Sequence, residues 1–355
     1  MAKKLSEAEL LKNIPHPAFF VANGVITKVN RKASLLNLKE GTAIDSILRT
    51  GFDEYQTFTD GRICLTLLVD YLLYDASVVK YHDRDLFFLE DEFQNHDLTM
   101  LGAAIDPLMD PLHCAMLSLE TLKLDPKFKD NPDLTAFTHH FYRVYGLASD
   151  MCEASLLGSM KTSKMGNYEL KTEIQRIITR ADSLLREAKL RIDYTCDIED
   201  DFYGYVDIEK IERAILALTS DLFRFNKPNG KVRVKLEKER NRILLAVRCK
   251  LPDDQREYLE NMLLSCHIKK DGLNLKKGGG FNGAIMARNL IAAHFGTMII
   301  DIPRARQIRF TFSIPIKHAG LVKLQSPVPA FQESTGGYDR YLLAYAEHLP
   351  DKLYD

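Results

Sequence analysis

The chain has 355 residues, 46% of them apolar and 27% charged, and a formal net charge of −1. That length exceeds one ordinary hydrophobic core and predicts two or three domains of water-soluble, globular composition. Near-neutral charge argues against general attraction to nucleic acid or anionic membrane, and no window holds the ~20 uninterrupted apolar residues of a membrane crossing.

The first residues, MAKKLSEAELLKN, read as an amphipathic helix start with Ser6 and Glu9 at capping-box spacing. They lack the apolar core of a secretion signal, so a cytoplasmic location is expected. Six cysteines (Cys64, Cys114, Cys152, Cys196, Cys249, Cys266) are scattered without metal-ligand spacing and read as reduced, mostly buried thiols. Two β-prone runs, 18–22 and 25–29, flank Asn23-Gly24, the strongest short-range signal for a tight hairpin. A polar and helical stretch follows to about Tyr55. Strands are expected over Arg62–Val69, Ser77–His82 and Asp85–Leu89. Residues 1–90 thus form a small α+β unit that resembles a PAS domain; an unrelated α+β domain fits the same pattern.

From Leu98 the periodicity changes. Leu98, Leu101, Ile105, Leu108, Leu112, Ala115, Leu119 and Leu122 alternate spacings of three and four, an apolar seam on one helix that should end before Pro126. Asn131-Pro132 supplies the cap and first residue of a second helix, seamed by Leu134, Phe137, Phe141, Val144, Ala148 and Met151. One helical hairpin (91–162) buries two seams poorly, so two hairpins should pair as a dimeric four-helix bundle. Residues 159–168 read as a linker. Helices are then expected over Leu170–Ala188, Asp207–Phe225 (with Asp207 as cap) and Ala284–His294. Strands are expected over 190–196, 231–236, 243–249, 297–302 and 307–314. Helices layered on a mostly antiparallel sheet make residues 163–318 an α/β sandwich, followed by a tail, 319–355.

This order of a PAS-like unit, a seamed hairpin and a sandwich resembles that of sensor histidine kinases. Their ATP-binding domain is of the type shared with gyrase, chaperone and mismatch-repair ATPases. The fold class expected is therefore multidomain α+β with a histidine-kinase/gyrase-type sandwich. The resemblance runs from about residue 14 to 316. Ser334 to Tyr338 and Leu349-Pro350 in the tail are similar to the ends of some clostridial kinase-like proteins, with no role implied.

The most specific match is Gly278-Gly279-Gly280-Phe281-Asn282-Gly283-Ala284, leading to His294 and Gly296. It resembles the family's second glycine box, where glycines let backbone N–H groups approach phosphates at a helix N-terminus. Phe281 replaces an inner glycine. Lys269, Lys270, Lys276 and Lys277 precede the box and would neutralise phosphate charge; a flexible loop is the plainer alternative. The helix from Asp207 resembles the asparagine box, and its magnesium-coordinating Asn falls on Asp221, itself a good hard-oxygen ligand. The earlier Asn of that box falls on Ala217, and a phosphate-contacting basic position falls on Arg224. The same Asp221 and Arg224 also fit a solvated pair at helical spacing. The resemblance thus implies ATP and Mg2+ as cofactors.

Departures then accumulate. The family's adenine-reading Asp falls near Cys249, in Val247-Arg248-Cys249-Lys250-Leu251-Pro252-Asp253, and both accompanying glycines are missing. Losing such a buried polar contact costs ~1–3 kcal/mol. Asp253 or Asp254 would substitute only from a shifted turn. In the phospho-acceptor segment, Asp106-Pro107-Leu108-Met109-Asp110-Pro111-Leu112, the acceptor His falls on Asp106 and its assisting carboxylate on Pro107. A kinase of this kind needs a neutral imidazole with a carboxylate beside it. His113 lies on the same face, ~10.5 Å further along, but Cys114 follows it where an acid is needed; it also reads as an ordinary surface histidine, as do His139 and His140. Three functions stay open. One is a pseudokinase that signals by nucleotide or partner binding, with a response-regulator receiver domain as the implied partner. The second is an active kinase using His113 and Asp221, and the third a sensor whose ligand sits in the PAS-like unit.

Overall fold

The computed structural model describes residues 7–14, 16–59, 61–69, 72–81, 83–89, 94–128, 130–156, 164–198, 203–226, 230–239, 242–250, 282–294, 296–304, 307–315 and 339–354. The glycine-rich segment 276–280, with Phe281 and the lysines before it, lies outside these residues.

After helix α1 (Glu7–Asn13), strands β1 (Ala18–Ala22) and β2 (Val25–Val29) form the expected hairpin. Asn23 and Gly24 both take positive φ, 51° and 74°, as a primed two-residue turn requires. Short helices α2 (Arg31–Leu35), α3 (Ile44–Ile47) and α4 (Phe52–Thr57) follow, with β3 (Leu48–Thr50) between the last two. The meander β4 (Arg62–Val69), β5 (Leu72–Tyr81) and β6 (Arg84–Leu89) closes this unit. The β5 strand begins five residues before the expected Ser77. Stacked Phe19 and Phe87, with ring centres 4.9 Å apart, fill the core together with Ile63, Leu67 and Leu89.

Helix α5 (Gln94–Lys123) runs antiparallel against α6 (Pro132–Leu156), and Asn131 caps α6 through the Asp133 N–H at 2.9 Å. The seams only partly match the buried faces. Ile105 and Leu119 are buried, but Leu108, Leu122, Phe137 and Val144 are exposed in the single chain, while Met116, Tyr142 and Tyr145 are buried instead. Among the described residues no helix is long and apolar enough to cross a membrane.

The third unit begins inside the expected linker. Gly166–Glu169 is a strand, β7, paired with β9 (Tyr203–Val206), a short strand that the sequence pattern did not reveal. Between them run α7 (Leu170–Leu185), a 3-10 turn (Arg186–Ala188) and β8 (Arg191–Cys196). Then come α8 (Ile208–Phe225), β10 (Lys231–Glu239), β11 (Arg242–Lys250), α9 (Asn282–Ala292), β12 (Thr297–Arg304) and β13 (Gln307–Pro315). Helices α7, α8 and α9 share one apolar core with this sheet, giving the expected sandwich. Cys64 and Cys249 are buried, Cys196 is half-buried and Cys114 is exposed, so burial of the thiols is mixed.

The two sheets are one. The strand order is β2-β1-β6-β5-β4-β12-β13-β11-β10-β8, because β4 pairs antiparallel with β12 through Cys64–Met298, Ile63–Ile299 and Arg62–Ile300. Gly61 (φ 89°) enters this junction where a Cβ would lie 2.3 Å from the Ile300 carbonyl oxygen. Glu54 of α4 is buried there against Arg242 and accepts the Ser313 hydroxyl at 2.5 Å.

After the sandwich, α10 (Arg340–Ala344) and a 3-10 turn (Asp351–Tyr354) end the described chain, with Tyr341, Tyr345 and Tyr354 all fully buried.

Candidate functional site

The corner between α8 and α9 holds the sequence-predicted nucleotide and metal residues that are described. Asp207 starts α8, its carboxylate accepting the Lys210 N–H at 3.3 Å. A 3.6-residue apolar period buries Ile211, Ile215, Leu218 and Leu222 and carries Asp221 inward with them. Asp221 is 3% exposed. Its carboxylate accepts the Ala284 N–H at 3.1 Å, near the N-terminus of α9, and lies 3.4 Å from the Arg224 guanidinium. Burial pushes its pKa up to about 7, against the pull of Arg224 and of the α9 amides. The pair is therefore not solvated at Asp221.

Gly283 brings the two helices into main-chain contact. A Cβ there would stand 2.2 Å from the Ala217 carbonyl oxygen and 2.8 Å from Asp221. Arg224 joins this corner to the tail, its guanidinium also meeting Glu347 at 2.6 Å and 2.8 Å. Sequence reasoning brought Asp221, Arg224 and Gly283 to one site, and the structure gathers them, but each is engaged by the protein itself.

His294 anchors the other end of α9. Its Nε2 accepts the Asp207 N–H at 3.0 Å and its Nδ1–H donates to the Leu290 carbonyl at 2.8 Å. Burial lowers its pKa and keeps the ring neutral. The Cys249 thiol, where an adenine-reading carboxylate is expected, is buried and pushed up to about 12, with Leu222 and Lys250 carbonyls as its acceptors. A thiol so held carries no charge at neutral pH and offers adenine no carboxylate. Asp253 and Asp254 lie outside the described residues.

On the hairpin, Asp106 sits in α5 between Ile105 and Pro107, and Pro107 and Pro111 are both taken into the helix. His113 is half-buried, its Nε2 2.6 Å from the Tyr145 hydroxyl of α6 and its ring edge-on to that of Tyr145. It is a hairpin contact with one nitrogen already partnered. Among the described residues no three His, Cys, Asp or Glu side chains gather as a metal cluster.

The N-terminal unit carries a surface cleft of about 510 Å³ between the Asn23-Gly24 turn and α4. There Asp85 accepts the Tyr55 hydroxyl at 2.6 Å and pairs with Lys80 at 2.7 Å, and the Lys80 ammonium stands over the Tyr55 and Phe58 rings. The tail is the part that sequence reasoning missed. Its one available signal was the four-residue spacing of Tyr341 and Tyr345, one apolar face of a short helix.

No protein-family model and no curated protein matches the sequence. Solved structures similar to it are histidine kinases. AdeS of Acinetobacter baumannii is 18% identical with a TM-score of 0.40, covering 58% of this chain and 95% of that one. ThkA, in complex with the response regulator TrrA, is 15% identical with a TM-score of 0.41, covering 88% and 99%. Full-length ShkA in complex with AMPPNP is 15% identical with a TM-score of 0.47, covering 62% and 46%. At these identities and scores the likenesses are distant and assign no activity.

Proposed function

We propose that the chain is a degenerate, histidine-kinase-like signalling protein of the cytosol that acts through partner binding and conformation, without passing phosphate from a histidine of its own. The observation that carries this reading is the state of Asp221. The carboxylate that would hold magnesium is spent as a cap on α9 and as a partner of Arg224, and Gly283 closes the same corner against Ala217. Among the described residues the corner does not fit a Mg2+-nucleotide group. A hard cation needs several oxygens with room for water around it, and here the one carboxylate is dry and already hydrogen-bonded. The substituted acceptor positions, Asp106 and Pro107, and the engaged His113 point the same way.

The exposed Leu108 and Leu122 on one face of α5, and Phe137 and Val144 on one face of α6, support a dimer made through the two helices, since exposed apolar faces seek a partner. A receiver domain is the partner to test on the assembled hairpins. Calorimetry with Mg2+ and ATP, run with an acid-labile phosphorylation assay on the same full-length sample, tests the reading. No heat at millimolar ATP and no phosphate are expected. Tight binding with phosphate lost in His113→Ala would replace it with an active kinase.

A further inference from the structure

The tail lies between the hairpin and the sandwich and shares one apolar core with both. On the hairpin side, Tyr354 stacks on His139 of α6 with ring centres 4.6 Å apart. The two nitrogens of that ring face the Asp351 carboxylate and, at 2.5 Å, the Ala346 carbonyl oxygen. Gly146 lets α10 come close, because a Cβ there would sit 3.3 Å from the Leu343 carbonyl oxygen.

On the sandwich side the same sixteen residues grip α8 along its length. Glu212 accepts the Tyr341 hydroxyl and pairs with Arg340 at 2.8 Å. Thr219 and the Tyr345 hydroxyl are 2.8 Å apart in a buried socket. Glu347 takes Arg224, and His348 donates to the Ser220 carbonyl at 2.9 Å.

Among the described residues, the main neighbours of α6 beyond α5 are α10 and the 3-10 turn of the tail. Among the described residues, α6 also meets α8 directly through Arg213, which reaches Ser149 and Asp150 at 3.3 Å. We propose that Asp339–Tyr354 is a clasp that sets the orientation of the sandwich on the hairpin, and that its departure frees one to turn on the other. The inference does not use the nucleotide reading: it stands on tail contacts that would be the same in an active enzyme.

The test uses the full chain with spin labels on non-natural residues at Lys127, in the exposed hairpin loop, and Lys238, exposed on β10, diluted with unlabelled chain. Dipolar distance measurement is paired with hydrogen exchange of residues 339–354. Wild type is expected to give one narrow distance distribution and a protected tail. Tyr345→Ala with Glu347→Arg is expected to speed tail exchange at least ~10-fold, a loss of ~1.4 kcal/mol of protection, and to broaden or shift the distances. Fast tail exchange with an unchanged distribution would overturn the clasp, and so would a tail that stays protected in this variant. If Tyr345→Ala melts α8, Tyr345→Phe with Glu347→Arg serves for the same two readouts.

Discussion

The Asp221 carboxylate of α8 accepts the Ala284 N–H of α9 at 3.1 Å, so a side chain of one helix satisfies the first turn of another. An N-terminal helix turn leaves amide protons unpaired and carries partial positive charge, and a carboxylate answers both. The same burial that makes the cap dry also makes its charge costly.

That cost predicts a pH dependence. An unfolded Asp ionises near 3.8, whereas folded Asp221 holds its proton up to about 7. Between those values the folded state binds more protons than the unfolded one, so this group's contribution falls as pH rises from about 4 to 7 and is level above that. The full span corresponds to ~4 kcal/mol. Asp221→Asn keeps an oxygen for the Ala284 N–H and removes the titration. Urea unfolding at pH 5, 7 and 8 should show the variant gaining on wild type as pH rises; parallel curves would mean that Asp221 is ionised throughout.

His294 carries the opposite slope. Its folded pKa is lowered by burial, so an unfolded chain takes up a proton near 6.5 while the folded one refuses it. The stability it contributes is complete above 6.5 and is lost as pH falls below that value. The two groups partly offset each other in the wild type, and only the variants separate them. His294→Ala orphans the buried Asp207 N–H and should cost ~1–3 kcal/mol. His294→Gln should recover part of that loss and, in acid titrations followed by circular dichroism, lack the slope.

The features that were legible in the sequence are local ones. Asn23-Gly24, Asn131-Pro132 and Asp207 each act on backbone within three residues, so their turn and caps stand where the residues put them. The seam was half legible, because periodicity reports that a face is apolar and not which chain covers it: Phe137 and Val144 face solvent here, and Tyr142 and Tyr145 do not. The strands β7 and β9 were invisible, since Gly166-Asn167-Tyr168-Glu169 has neither β-branched residues nor alternation and pairs with a segment 34 or more positions away. The union of β4 with β12 was not legible either, because its ladder is made by main-chain groups of two edges and the side chains that meet beside it, Glu54, Arg242 and Ser313, are far apart in sequence. At the candidate site the substitutions at Asp106 and Cys249 were readable. The burial of Asp221 was not, because its amide partner is 63 residues distant.

The junction of the two sheets rests on a buried charge pair that removal of one member should expose. Glu54 is 7% exposed, and its partner Arg242 loses its counter-charge in Glu54→Ala while Ser313 loses its acceptor. Uncompensated buried charge costs ~3 kcal/mol. Replacing both residues, Glu54→Met with Arg242→Met, should cost less than Glu54→Ala alone. Equilibrium unfolding of the three variants measures this, and equal losses would place the pair outside the stability of the junction.

The contact at Gly283 makes the sharpest claim about the corner. A methyl group there meets the Ala217 carbonyl oxygen at 2.2 Å, and main chain of a packed helix cannot swing aside as a flexible side chain does. Gly283→Ala must therefore push α9 off α8, lengthening the Asp221 bond to the Ala284 N–H. Overpacking of this kind costs ~1–3 kcal/mol. Gly146→Ala is the comparison, since its nearest neighbour, the Leu343 carbonyl oxygen, stands at 3.3 Å and the tail can yield by a few tenths of an ångström. Thermal melts should rank Gly283→Ala well below Gly146→Ala, and hydrogen exchange at Ala284 should speed up in the first variant alone. Equal melting temperatures would mean that the corner has room to open, and with it room for a ligand that the packed arrangement excludes.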